Sequence, residues 1–283
     1  MSPNLEVPRS LPGVAHLSHS SVRTYLQCPL RWHNRYILNE YEPTNANMLI
    51  GKSVGSGVSA GYIGKILHRS LDAEAPPETS GVRELMLDIA SDTFDGVVAS
   101  EEVEWGESNP GKAKDTAVTC TEVYHDEVAV KFEPETVEEG FEIRFPEAEW
   151  VVKGFIDYVG EAQGLIAKLH DLKVVGKTDN GIDADPQATL YIASKYVQDG
   201  SLPSFAWHQV KKPTTRTPAS ATLMTTQRTP TQVNNYLGRV AQVAREIEWR
   251  SETGNWQGAV PGSWWCSERY CGYWDTCPFG GAK

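Results

Sequence analysis

The sequence predicts a mixed α/β domain, and three observations carry that expectation. Between 137 and 175 lie three short runs, VEEGFEIRF, WVVKGFIDYVG and GLIAKLHDLKVV, apolar and rich in β-branched and aromatic residues. Breaks of turn-forming residues separate them, as between strands of hairpins. Before and after, apolar residues recur at helical steps of three and four. At 283 residues the chain admits two domains, or one α/β domain with insertions, and is long enough to bury a substantial core.

Residues 1 to 17 hold three prolines and little periodicity, and read as an irregular leader. From Ser18 the pattern is helical: Val22, Tyr25, Leu26, Leu30 and Trp32 fall largely on one face, with Ser18 or Ser20 as N-cap. Cys28-Pro29 lies inside this stretch. Residues 48 to 71 carry Gly51, Gly55, Gly57, Gly61 and Gly64, a spacing that suits either a helix face closely approached by another backbone or a Gly-rich loop. The stretch is not a phosphate-binding loop. GKS stands at 51 to 53, but that pattern needs a glycine five residues before Gly51, where the chain has Ala46. A helix near 82 to 98, a polar, acidic linker near 101 to 116 and a helix near 116 to 131 containing Cys120 follow. After the strands, Asp185-Pro186 opens a helix to about Gln198, Asp capping and Pro at the first position. FAWHQVKK (205 to 212) reads as a strand, the Thr-rich tract after it as a loop with room for a short strand, and 231 to 250 as a helix. No internal repeat is evident.

Lys and Arg number 26 against 37 Asp and Glu, a net charge of −11. That argues against a protein coating nucleic acid through bulk positive charge, though not against one that grips a strand locally. No apolar run approaches the roughly 20 residues of a membrane span, and no basic stretch precedes an apolar one at the N-terminus. An intracellular, cytoplasmic protein without membrane attachment is the expectation. Five cysteines in such a chain point to metal binding rather than to a disulfide framework.

Asp157 lies in FIDYV, and Asp171-Leu172-Lys173 closes the next strand-like run. If 154 to 159 and 165 to 173 pair antiparallel, both carboxylates approach one point at the end of a sheet. Two hard carboxylates plus the Leu172 carbonyl suit Mg²⁺ or Mn²⁺. Lys173, two positions after Asp171, shares its face of the strand, where its ammonium could orient or deprotonate water or offset charge on phosphorus. A hairpin with solvated charges is the plain alternative. Gln187 and Tyr191, four apart, share a helix face and can reach a phosphate or base together. Lys211, Lys212, Arg216 and Arg228 are candidates for contacts to a nucleic-acid backbone.

The order of a strand aspartate, then D-x-K, then Q-x-x-x-Y on a helix resembles the PD-(D/E)xK nuclease superfamily, and within it the RecB-like exonucleases, which include CRISPR-associated four-cysteine enzymes and phage-encoded relatives. LSHSSVRTYLQCPLRWHNRYI is similar to the N-terminal segment of that group, and the likeness spans roughly 17 to 280. It implies a restriction-endonuclease-like mixed central sheet flanked by helices. Residues 18–283 would form one nuclease domain, with a helical insertion near 50–131, a nuclease core near 137–212 and a C-terminal helix and cysteine segment near 231–283. It implies a metal-dependent exonuclease acting on single-stranded DNA or DNA ends, in recombination, repair or phage DNA metabolism, with protein partners in recombination or CRISPR-like pathways. A phage-encoded relative would work in its host's cytoplasm. Asp157, Asp171, Lys173, Gln187 and Tyr191 would be catalytic, joined by Glu138, for which Glu139 competes. The family also has a histidine metal ligand after the first cysteine. Here the surroundings of that position match IGKSVGSGV, which places Gly55 at the histidine; His68, in Gly64-Lys65-Ile66-Leu67-His68, is the alternative, about two helical turns on.

Cys266, Cys271 and Cys277 form a tight C-terminal triplet, and Cys28 is the natural fourth partner. The arrangement resembles the family's staple, in which one N-terminal and three C-terminal cysteines hold a [4Fe–4S] cluster. Four thiolates suit such a cluster or a structural Zn²⁺, although zinc sites more often use two close pairs. Trp264, Trp265, Tyr270, Tyr273, Trp274 and Phe279 would form an apolar shell around the sulfurs. Cys120 is left over as a buried thiol. A catalytically weak or inactive iron–sulfur nucleic-acid-binding module of the same fold, and a zinc-stapled interaction protein, are the alternatives.

Overall fold

A computed structural model describes residues 5–70 and 79–281. In chain order the elements are β1 (His16–Leu17), α1 (His19–Gln27), α2 (Pro29–Tyr36), β2 (Thr44–Asn45), α3 (Ala46–Ser70), α4 (Thr79–Ser100), β3 (Val103–Glu104), α5 (Pro110–Glu127), β4 (Phe132–Arg144), β5 (Val151–Ala162), β6 (Leu169–Val175), α6 (Pro186–Asp199), β7 (Phe205–Lys211), β8 (Ser220–Thr226) and α7 (Pro230–Thr253).

Among the described residues β4 to β8 and β1 make one mixed sheet. β4, β5 and β6 pair antiparallel in sequence; β6 and β7, joined through α6, run parallel; β8 closes the far edge antiparallel to β7. The two-residue β1 adds parallel to Val151 and Val152. The sheet separates two cores. One is built with α1, α2, α6 and α7, around Trp32, Tyr25 and Val240; the other with α3, α4 and α5, around Tyr62, Met86 and Tyr124. No helix of the described residues is long and apolar enough to cross a membrane.

Local chemistry explains the elements that position the site. Ser18 caps α1 in a reciprocal box with Ser21, and Pro29, which has no N–H to give, ends that helix and begins α2. Cys28 therefore caps both helices, and its sulfur accepts the Arg31 N–H at 3.4 Å. The glycine-rich stretch is one continuous helix, α3. Gly57 and Gly61 are there because α4 leaves no room: an added Cβ would collide with the Met86 carbonyl and side chain respectively. Helix α5 begins at Asn109-Pro110, within the stretch expected to be a linker, by the same cap-and-proline device that starts α6. The leader is less irregular than expected. Leu11 and Leu17 are buried, and the Trp150 indole donates to the Pro8 carbonyl.

A buried polar seam joins the sheet to α3 and α5. The Tyr62 and Tyr124 hydroxyls are 2.6 Å apart, Tyr124 meets His208 Nδ1 at 2.6 Å, and His208 Nε2 meets His170 Nδ1 at 2.8 Å. Burial pushes the His170 pKa down to about 4 and that of His208 well below its ordinary value, so both imidazoles are neutral and share one proton per contact. The chain fixes β6 beside β7 directly before Asp171.

Candidate active site

The site forms where β5 and β6 part company. Their pairing is confined to Tyr158–His170 and Val159–Leu169, so beyond it the strands splay with Asp157 on one and Asp171 on the other. Asp157 Oδ2 bridges the gap by accepting the Leu172 N–H at 3.0 Å. The alternation of β5 breaks at the same place: Ile156 packs in one core and Tyr158, two residues on, in the other. Opposite stands Glu138, between the pairs Val137–Tyr158 and Glu139–Ile156, with a φ of 52° that non-glycine residues seldom adopt. Strain of this kind persists where the surrounding structure enforces it and gathers at functional sites.

Asp171, Lys173, Gln187 and Tyr191 form one connected group. Lys173 Nζ lies 2.6 Å from Asp171 Oδ2 and donates to Gln187 Oε1 at 2.5 Å. Gln187 Nε2 donates both to Asp171 Oδ1, at 2.7 Å, and to the Tyr191 hydroxyl, at 2.8 Å. The strand period puts Asp171 and Lys173 on one face, and the helix period does the same for Gln187 and Tyr191. Asp185 accepts from the Gln187 and Ala188 amides and from the Trp207 indole, which anchors the first turn of α6 against β7. Asp171 is 2% exposed, and its Oδ2 faces the Lys173 ammonium at 2.6 Å. Burial first, and then the Asp157 charge, push the Asp171 carboxyl up to about 8. Burial also raises Asp157, with Glu138 adding to it, while the Leu172 N–H and Lys173 oppose the rise. Two desolvated carboxyls side by side raise each other's proton affinity, and Lys173 offsets only part of that cost.

A family model for the PD-(D/E)XK nuclease superfamily matches residues 16–278. The chain belongs to the PD-(D/E)XK nuclease superfamily. One similar solved structure is a Eubacterium rectale protein provisionally named an exonuclease, with a TM-score of 0.52 and 14% identity over 88% of this chain and 85% of that one. At that identity the likeness speaks for the fold. No curated protein matches the chain.

Other residues of this PD-(D/E)XK chain fall into place or out of it. Glu138 lines the cavity that also contains Asp157 and Leu172, whereas Glu139 turns away to pair with Lys195 and accept from Thr136 Oγ1. Gly55 lines that same cavity, and an added Cβ there would meet nothing within 4 Å. His68 does not reach it. It lies 13 residues further along α3, roughly 20 Å at the helical rise. Its neighbours Lys65 and Arg69 contact Phe132, Glu133 and Pro134 at the opposite end of β4. Arg228 is not a surface cation either: at 6% exposure it donates to the Ile182 and Asp185 carbonyls and to Thr189 and Thr226, holding the entry to α6. Lys212 is bonded to Asn47. The cations that flank the site, Arg23 and Lys173 among them, come from α1 and β6. Those on α1 went unread because its apolar face and its cysteine dominate the pattern.

The donor set fits Mg²⁺ or Mn²⁺. Among the described residues no three His, Cys, Asp or Glu side chains converge closely enough to hold an ion. Magnesium asks for less, since one or two carboxylates suffice when water fills the remaining positions. Asp157, Asp171 and the Leu172 carbonyl supply that much.

At the far end of α1, Cys28, Cys266, Cys271 and Cys277 line one apolar cavity, walled by Trp265, Trp274 and Phe279. Trp264 and Tyr270, expected in this shell, do not line the cavity, and Trp264, Tyr270 and Phe279 are all exposed. The C-terminal segment is held here by protein bonds too: Leu30 N–H to the Gln257 carbonyl at 2.9 Å, the Trp265 indole to the Gln27 carbonyl at 3.1 Å, and Gly272 N–H to Glu42 at 2.7 Å. Burial pushes the Cys28 and Cys271 thiols up, so without metal these two are protonated. Cys120 lies apart, on the buried face of α5.

Proposed function

We propose that the chain is a divalent-metal-dependent deoxyribonuclease, an exonuclease on single-stranded DNA or DNA ends, whose N- and C-terminal segments are joined by a [4Fe–4S] cluster. The observation that carries the nuclease reading is Asp171: a buried carboxyl whose proton affinity is raised by burial and by a second carboxyl, Asp157, with the Lys173 ammonium 2.6 Å from one of its oxygens. Asp157, Asp171 and the Leu172 carbonyl would hold Mg²⁺ or Mn²⁺, which supplies Lewis-acid neutralisation of phosphate charge and makes water easier to deprotonate. Lys173 stands where it can orient water or meet a non-bridging phosphate oxygen. Gln187 and Tyr191 are positioning residues, because their polar atoms are spent on Asp171, Lys173 and each other. Glu138 lines the cavity on the opposite side and adds negative charge toward Asp157.

Support for the cluster reading comes from Cys28, Cys266, Cys271 and Cys277 lining a single apolar cavity. Four thiolates in a three-plus-one division along the chain suit such a cluster better than zinc, whose sites more often use two close pairs. Gly55 favours a second reading, a catalytically weak or inactive nucleic-acid-binding module, since no imidazole of the described α3 residues lines the cavity with Asp157. Anaerobic purification with iron and sulfide quantification, followed by digestion of end-labelled single strands in Mn²⁺ or EDTA, tests both parts. Iron and sulfide in equal amounts with Mn²⁺-dependent shortening support the proposal. Zinc without iron removes the cluster, and strands left intact in Mn²⁺ favour the weak-module reading.

A further inference from the structure

The face of α1 and α2 beside the site carries arginines without acidic partners. Arg31 is held by Glu42 at 2.6 Å, but Arg23 and Arg35 form no ion pair among the described residues. In a chain of net charge −11, with two carboxylates next door, cations left unneutralised there favour a polyanion. A groove of about 620 Å³ runs along this face from Arg35 to Gln187 and Tyr191, and a second, of about 380 Å³, continues past Lys173. Arg23 and His19 line both. Burial pushes the His19 pKa down to about 4, and its Nδ1 is buried without a hydrogen-bond partner.

The other wall of the groove is β5. β1 covers its edge only at Val151 and Val152 and β6 only at Tyr158 and Val159, so the edge between them is open. Phe155 sits in that interval, 63% exposed although it belongs to a strand inside the sheet, and its ring lies against Gly140 opposite, which has no side chain to cover it. An exposed phenylalanine alone is ordinary surface. Bordering the same groove as two free arginines and leading to the carboxylates, it makes the pairing that single strands use, cations for phosphates and a ring for a base.

We propose that this groove holds the single-stranded DNA next to the scissile link, with phosphates on Arg23 and Arg35 and an unpaired base stacked on Phe155. The proposal rests on the nuclease reading and names its substrate as a single strand. Fluorescence anisotropy of a labelled oligothymidylate, with Ca²⁺ replacing Mn²⁺ to prevent cleavage, tests it on the full chain. The Arg23→Gln/Arg35→Gln variant should flatten the slope of log affinity against log salt by about 1.4, two single-strand phosphate contacts at roughly 0.7 each. Phe155→Ala should bind about 5- to 150-fold more weakly with the slope unchanged, and Phe155→Trp should restore binding. Melting temperatures report that each variant is folded. If the wild type binds and cuts while these variants match it in affinity and slope, or if duplex competes as well as single strand, the groove assignment is wrong and the nuclease reading stands. If the wild type neither binds nor cuts DNA, both fall.

Discussion

Asp171 makes a prediction that needs no substrate. In metal-free protein its carboxyl keeps a proton up to about pH 8, whereas in the unfolded chain it loses one near 3.8. Between those values the native state binds more protons than the unfolded state, so stability falls as pH rises, and the fall is complete only above about 8. One proton is worth about 1.4 kcal/mol per pH unit, which amounts to about 4 kcal/mol between pH 4 and pH 7. Asp171→Asn keeps an oxygen for Gln187 Nε2 and removes the titration. Urea denaturation of both proteins in EDTA across this range should show the variant gaining on the wild type as pH increases, toward that magnitude. Added Mn²⁺ should reverse the decline in the wild type alone, since the ion requires the ionised carboxylate. Parallel stability curves for the two proteins in EDTA would refute the reasoning.

Gly55→His should place an imidazole in the cavity beside Asp157, where an added Cβ meets no atom, and tighten Mn²⁺ binding about tenfold by calorimetry; unchanged affinity would show that the α3 face is too distant. Cys28→Ser should lose iron and the broad visible absorbance near 400 nm expected of the cluster, whereas Cys120→Ser, altering a thiol outside the cavity, should retain both. Arg228→Ala should cost about 3 kcal/mol or more in urea melts, because it strands the Ile182 and Asp185 carbonyls, and should leave the salt dependence of DNA binding untouched.

What could be read in the sequence was the chemistry with a local signature. Asp185-Pro186 announces a helix start by itself, and a strand period of two suffices to put Lys173 beside Asp171. The same cap at Asn109-Pro110 went unread because the surrounding residues are polar and acidic, and composition outweighed the cap. β1 has no local signal at all. Two residues become a strand only because Val151 and Val152 offer them an edge, and β8 within the Thr-rich tract depends on β7 in the same way. The choice between Glu138 and Glu139 turns on a φ of 52° that sequence does not reveal. Arg228 looks like any surface cation until the backbone carbonyls it serves are brought around it. His68 satisfies the spacing of a short motif, but the unbroken α3 carries it well away from Gly55.

Digestion of end-labelled single-stranded DNA by the wild type and Asp171→Asn, side by side in Mn²⁺, bears most directly on the carboxylate pair as the seat of phosphodiester hydrolysis. The expected result is progressive shortening by the wild type, none in EDTA, and a loss of about a thousandfold in the folded variant. Equal rates for the two proteins would place the chemistry elsewhere in the molecule.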